Sequence, residues 1–351
     1  MITVVIATYN HAHYLPIQLA SIIRQGPSVS RIIVVNDCST DDTADILTKI
    51  QMNEPRLMHI NLPENVGCWN AQHIGLGYVD TEFFSQAAAD DFLMPDWAEN
   101  SLNALRSAPD IGMCLSRSFV ASETSTALTK TVLPKRLRGA ILSPMDFHRS
   151  VMRYGTWMES NNMLIRRSAY DEQFVKLASA GAFADGVIMY VLGLKAGAVI
   201  LDKPFSVFFE REASLSGAII APCVAVTQVQ ELSNVLRTTP CVELIDRRLA
   251  FRILRRNTYT YLMGSTLYLT SEFSQLAEKT LPPIASRALR ISLRLLFILY
   301  RLTVFICLRP FDLMVARRMN HPQAATLDET RAVDKYRKAL NEALPSIGVD
   351  S

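Results

Sequence analysis

A doubly wound α/β unit followed by a helical C-terminal region is the fold class that the sequence predicts, and three observations predict it. Short apolar, β-branched runs recur early in the chain, the first two at residues 2–7 and 31–35; such runs suit strands buried on both faces, as in a parallel sheet. Between them apolar side chains fall at helical spacing, beginning with Leu15, Leu19, Ile22 and Ile23. Beyond Gly217 the strand-like runs stop and long helical patterns follow, with arginines crowding the stretch from Arg247 to Arg318.

Taken in order, the first strand ends in Thr8-Tyr9-Asn10, a helix runs up to Gly26, and the second strand follows. This β-α-β unit requires a right-handed crossover. The second strand runs into Asn36-Asp37-Cys38-Ser39-Thr40-Asp41-Asp42-Thr43. Ser39 or Thr40 is placed to cap a helix whose first turn carries Asp41 and Asp42. Asp37 stands before that cap, at the strand's C-terminal edge, where an acceptor reaches a base or ribose. A third strand at 57–62 leads through the turn Glu64-Asn65-Val66-Gly67 into a helix over 69–77. The fourth strand, 83–87, stops at Asp90-Asp91. A helix over 95–107 and a strand over 113–118 come next, then a basic, irregular stretch at 120–138 that reads as a surface loop. Later helices are expected over 241–273, from Pro282-Pro283 to about residue 309, and over 324–344.

With 351 residues, 49% of them hydrophobic and 20% charged, the chain has ample core for one large or two modest domains. A net charge of +3 is too small to argue for a nucleic-acid partner. Cys38, Cys68, Cys114, Cys223, Cys241 and Cys307 lie far apart, suggesting neither a zinc site nor a disulfide framework and fitting a reducing cytosol. The N-terminus opens on a strand and lacks the basic start and cleavage site of a signal peptide, so a secreted protein is not expected. No Gly-x-Gly-x-x-Gly follows the first strand and no Walker-type loop occurs, which disfavours dehydrogenases and P-loop enzymes. Adjacent carboxylates repel, so Asp90-Asp91 points to a hard cation with oxygen ligands. A helix N-terminus opened by Pro95 and Asp96 is the other reading of the pair.

Four segments in register, residues 4–10, 33–43, Asn65-Val66-Gly67 and Asp90-Asp91-Phe92-Leu93-Met94-Pro95, resemble the family 2 glycosyltransferases. The resemblance implies a GT-A fold with a doubly wound mixed sheet over residues 1–216: a nucleotide-sugar half at 1–118, an acceptor half at 119–216, and a helical extension at 217–351. It implies inverting transfer from a nucleotide-sugar, a UDP-sugar first, to a hydroxyl of a glycan or lipid-linked glycan in surface polysaccharide assembly. Thr8 and Tyr9 would flank the base beside Asn10, and Asp37 would accept from it. Asn65 and Gly67 belong to the donor side. Asp90 and Asp91 would share ribose and a divalent metal, Mn²⁺ or Mg²⁺, which stabilises charge on the leaving diphosphate.

In the same family an acid at a helix start is the catalytic base. Asp185 matches it, since inverting displacement needs one base for the acceptor hydroxyl; a helix cap is the alternative. Arg211 would approach the diphosphate, with a surface salt bridge as the other reading. Trp157 would stack on an acceptor sugar or pack in the core. Ala88 and Ala184 stand where the family often carries acids, which motivates the alternative of a silent nucleotide-sugar-binding or scaffold subunit. In the extension, Arg287, Arg290, Arg294, Arg301 and Arg309 fall within an arc of about 100°. That stripe suits an anionic membrane surface, at the cytoplasmic face of the inner membrane, or packing on another helix or subunit.

Overall fold

The computed structural model describes residues 1–122, 125–154, 162–210, 222–250, 253–254 and 323–349. The predicted alternation of strand and helix forms as follows: β1 (Ile2–Thr8), α1 (Leu15–Ile23), β2 (Val29–Asn36), α2 (Thr43–Asn53), β3 (Leu57–Asn61), α3 (Cys68–Leu76) and β4 (Phe83–Ala87). All seven residues of β1 are buried, because the strand is paired in parallel with β2 on one side and β4 on the other. β2 in turn pairs in parallel with β3. Apolar side chains on both faces are what such a position demands.

The chain continues through β5 (Phe92–Leu93), α4 (Trp97–Arg106), β6 (Met113–Ser122), β7 (Ser125–Lys130), β8 (Ile141–Leu142), α5 (Pro144–Tyr154) and β9 (Leu164–Arg166). A 3-10 run over Glu172–Phe183 leads into α6 (Ala184–Ala196), and β10 (Ala198–Glu210), α7 (Pro222–Val235), α8 (Cys241–Leu244), β11 (Gln323–Ala324) and α9 (Leu327–Ala343) follow. β9 is antiparallel to both β4 and β6, so β6 points the same way as β4. β10 lies parallel to β6. The ends of β1, β2, β4, β6 and β10 therefore share one edge of a mixed sheet, the edge where ligands gather in open α/β folds.

Three sequence expectations change. The stretch at 120–138 is not a plain loop: β6 extends to Ser122 and pairs with β7, Phe119 opposite Lys130 and Val120 opposite Thr129. The long helix expected from residue 241 stops after Leu244, where Ile245 turns to extended backbone. Asp246 then accepts the Leu249 N–H at 2.7 Å, a side-chain cap that starts a new turn. Asp41 and Asp42 precede α2 instead of lying in its first turn.

The C-terminal residues return to the first core. β11 adds to the sheet edge at β7. Thr326 and Glu329 form a reciprocal capping box at the start of α9, and Glu329 pairs with Lys130 at 2.9 Å. Val333, Leu340, Leu344 and Ile347 are buried in the same cluster as β1, α1 and α4. At roughly 1.5–3 kcal/mol for each such side chain, this attachment is firm. The expected domain boundary after residue 216 and the arginine stripe of residues 287–309 lie outside the described residues. Among the described residues no helix is long and apolar enough to cross a membrane.

Candidate active site

The polar tips after β1 and β2 are sewn together. Asn10 sits at φ 56° and Cys38 at φ 59°, a left-handed conformation that asparagine tolerates and cysteine adopts under strain. The Asn10 N–H donates to Ser39 Oγ at 2.9 Å, and the Thr40 N–H donates to Asn10 Oδ1 at 2.8 Å. Asp41 accepts from the N–H of Ala12 at 3.0 Å and of Thr43 at 3.1 Å. Ser39 is thus spent on Asn10, which is why it does not cap α2. Thr8 is buried, whereas Tyr9 is 44% exposed on the rim.

Asp37 is only 2% exposed. One carboxylate oxygen accepts the Val66 N–H at 2.7 Å, and the other accepts the Gly67 N–H at 2.9 Å. Gly67 N–H also reaches Asn65 Oδ1 at 3.2 Å. Gly67 holds φ 87°, a backbone conformation that side chains oppose. The expected base-reading residue is therefore also the clamp that fixes the turn into α3.

Asp90 and Asp91 follow β4 on the same edge. β5 separates them from α4, which begins at Trp97 with Asp96 at its cap position. That spacing removes the helix-start reading of the pair. Asp91 is 4% exposed and accepts the Phe209 N–H at 3.1 Å from the end of β10. The Ala88 carbonyl before them accepts from Gln18 Nε2 of α1 at 2.8 Å.

Asp185 is half-buried in the first turn of α6, where it accepts the Gly186 N–H at 2.6 Å. The cap position itself is Phe183, with no side-chain cap bond, so Asp185 does not serve as the helix cap. Cys68, at the start of α3, reports where Asp185 lies. Enclosure by protein atoms, and then the negative charges of Asp37 and Asp185, push its thiol up to about 11 although the residue keeps exposed surface. The 3-10 run that leads to Asp185 packs on α3, the helix that Cys68 begins. Ala184 is fully buried, so an acid there would need a hydrogen-bonded or charged partner.

A glycine sets the approach to α6. Gly181, at φ 60° and ψ −127°, breaks the 3-10 run just before Asp185, and a Cβ there would strike the Gln228 amide of α7. Gly181→Ala is expected to cost about 1–3 kcal/mol from left-handed strain and the clash, and to lower turnover by displacing α6. Gly186→Ala, which meets nothing within 4 Å, should be neutral or stabilising. Equal denaturation midpoints for the two variants would contradict this account.

Two sequence candidates, Trp157 and Arg211, lie outside the described residues. In the turn after β1, His11 and His13 both meet the Tyr14 ring, at 6.3 and 5.1 Å between ring centroids. Sequence reading missed Cys68 and Arg337. The latter, on α9, shares with His13, Tyr14, Asp90, Asp91 and Phe209 a recess of about 260 Å³. No local signal marks Arg337, because only the return of the C-terminal helix brings it here.

Comparison with known proteins agrees with this architecture. Residues 3–174 match the family described as glycosyl transferase family 2. An uncharacterized glycosyltransferase of Haemophilus influenzae is 34% identical over 105 residues, which is 30% of this chain and 32% of that protein. A teichoic acid poly(glycerol phosphate) polymerase of Staphylococcus epidermidis is 33% identical over 93 residues, 26% of this chain and 13% of that protein. The matched stretch thus spans about a third or less of these relatives. The crystal structure of S. aureus TarS 1-349 in complex with UDP-GlcNAc covers 98% of this chain and 91% of its own, with TM-score 0.52 and 17% identity. That likeness shows the fold, a GT-A-like mixed sheet.

Proposed function

We propose that this chain, which belongs to the family 2 glycosyltransferases through residues 3–174, transfers one sugar with inversion from a nucleotide-sugar, a UDP-sugar first, to a hydroxyl of a glycan or lipid-linked glycan in bacterial surface polysaccharide assembly. One observation supports the reading: a single sheet edge carries Asp37 and the Asp90-Asp91 pair, and the charges of Asp37 and Asp185 both bear on Cys68. Tyr9 is the exposed platform for the base, next to Thr8 and Asn10, and Asp37 reads the base while holding the Asn65–Gly67 turn. Asp185 takes the proton from the acceptor hydroxyl. Arg211 and Trp157 keep their proposed donor and acceptor roles. The C-terminal extension would meet an anionic membrane surface or a second subunit.

The donor set at Asp90 and Asp91 is hard oxygen, which suits Mn²⁺ or Mg²⁺. Two adjacent carboxylates leave room in the coordination shell of such an ion, and oxygens of the donor diphosphate would fill part of it. When bound, such a metal supplies Lewis-acid stabilisation of the departing diphosphate. Mn²⁺ titrated alone should therefore bind at least about tenfold more weakly than with the matching nucleoside diphosphate present. Calorimetry checks it, and tight metal binding without nucleotide would contradict it. A thermal-shift screen of UDP-, GDP- and dTDP-sugars with and without Mn²⁺ tests the whole reading: stabilisation should need nucleotide and metal together.

A further inference from the structure

The position of Arg337 is built, not incidental. Its helix, α9, is fixed at its start by the capping box and the Lys130–Glu329 pair, and along one face by burial of Val333 and Leu340. Near its end, Arg24 of the α1 C-cap donates to the Ala339 carbonyl at 3.3 Å. Held this way, the helix turns Tyr336 toward Phe92, with ring centroids 6.3 Å apart. The neighbouring Arg337 guanidinium lies over the Phe209 ring, 5.2 Å from its centroid. Phe209 is the residue whose N–H donates to Asp91. The arginine and the carboxylate are thus joined through one residue and line one recess.

The charges in that recess define its partner. Asp90 and Asp91 bring negative charge to the recess, which disfavours a phosphate unless positive charge is also present. The Arg337 guanidinium in the same recess supplies a positive centre, with a planar fork of donors that suits phosphate oxygens. Among the described residues Arg337 makes no ion pair, and the aromatic face beneath it holds the group without consuming its N–H donors.

We infer that Arg337, delivered by the C-terminal helix, is the phosphate seat of this active site and binds a phosphoryl group of the substrate in the recess it shares with Asp90 and Asp91. The inference rests on the glycosyltransferase reading above and adds a residue to it. The phosphoryl group comes from the donor diphosphate or from a phosphate-bearing acceptor.

Binding measurements on the full chain decide the matter. Calorimetric titrations with Mn²⁺ present would use UDP, GDP and dTDP, their nucleosides, pyrophosphate and glycerol 3-phosphate, against wild type, Arg337→Ala, Arg337→Lys and Lys335→Ala. Melting curves verify that each variant folds, and Lys335→Ala removes the same charge from an exposed position of the same helix. Loss of one charge-assisted contact should weaken the bound nucleoside diphosphate and pyrophosphate about tenfold in Arg337→Ala. Nucleoside binding should be unchanged, Arg337→Lys intermediate and Lys335→Ala within about twofold. That result assigns the seat to the donor. Loss confined to glycerol 3-phosphate assigns it to an acceptor phosphate. Unchanged binding of every phosphate, equal losses in Lys335→Ala, or a wild type that binds no phosphate at all would overturn the seat. A wild type that binds pyrophosphate or glycerol 3-phosphate but none of the three nucleotides would instead defeat the nucleotide-sugar reading, leaving Arg337 to be judged on those two ligands.

Discussion

Asp185→Asn should lower turnover by about 10²–10⁴-fold, the range that a positioned general base contributes, while leaving metal-dependent donor binding within about twofold. The substitution keeps the shape of the side chain and its place in the first turn of α6, so folding should be preserved. Cys68 provides an independent readout. Its thiol is held up at about 11 first by enclosure and then by the charges of Asp37 and Asp185. Neutralising Asp185 removes one anion that opposes the thiolate, so the pKa must fall. The pH profile of Cys68 alkylation should therefore move to lower pH in Asp185→Asn, with Cys38 alkylation followed separately by peptide mapping. Unchanged turnover would sink the base assignment, and an unmoved alkylation profile would sink the placement of Asp185 beside Cys68.

Asp37→Asn should damage stability and donor binding together. Both carboxylate oxygens accept backbone N–H groups from Val66 and Gly67, and an amide side chain must turn a donor toward one of them. Hydrogen bonds to a charged acceptor are worth about 1.5–3 kcal/mol each. The loss of one, with a part-buried N–H left facing another N–H, should therefore cost about 2–4 kcal/mol. For a chain of 351 residues that corresponds to a melting-point drop of roughly 3–5 °C. Because the same turn carries Asn65 and leads into α3, nucleotide affinity should fall by at least about tenfold. Wild-type stability in Asp37→Asn would mean that the clamp does not hold the turn. Wild-type nucleotide affinity in a destabilised variant would separate the two roles and leave Asp37 as a structural residue alone.

The difference between these residues and Arg337 shows what was legible in the sequence. Ile2 to Ala7 reads as a doubly buried strand because its side chains are apolar and β-branched, and pairing with β2 and β4 explains it. Asp37 and Asp91 are legible for the same local reason, each being a carboxylate placed just past a buried strand end. The reading of the basic stretch at 120–138 failed because its pattern is mixed: part of it is an edge hairpin whose Lys130 is balanced by Glu329 from far along the chain. Ser39 looked like a cap because local spacing cannot show that Asn10 competes for its hydroxyl.

The sequence alone determined the order of strands and helices in the first part of the chain, the edge where its acids would gather, and the family resemblance, since each depends on residues near one another along the chain. Tertiary structure decided which partners those acids spend their oxygens on, that Ala184 is buried, and that α9 returns to bring Arg337 and Glu329 to the sheet edge. The physical reason is separation along the chain. A local pattern fixes which face a residue presents, but partners far apart in sequence are chosen only when burial of Val333, Leu340, Leu344 and Ile347 draws the C-terminal helix onto the first core.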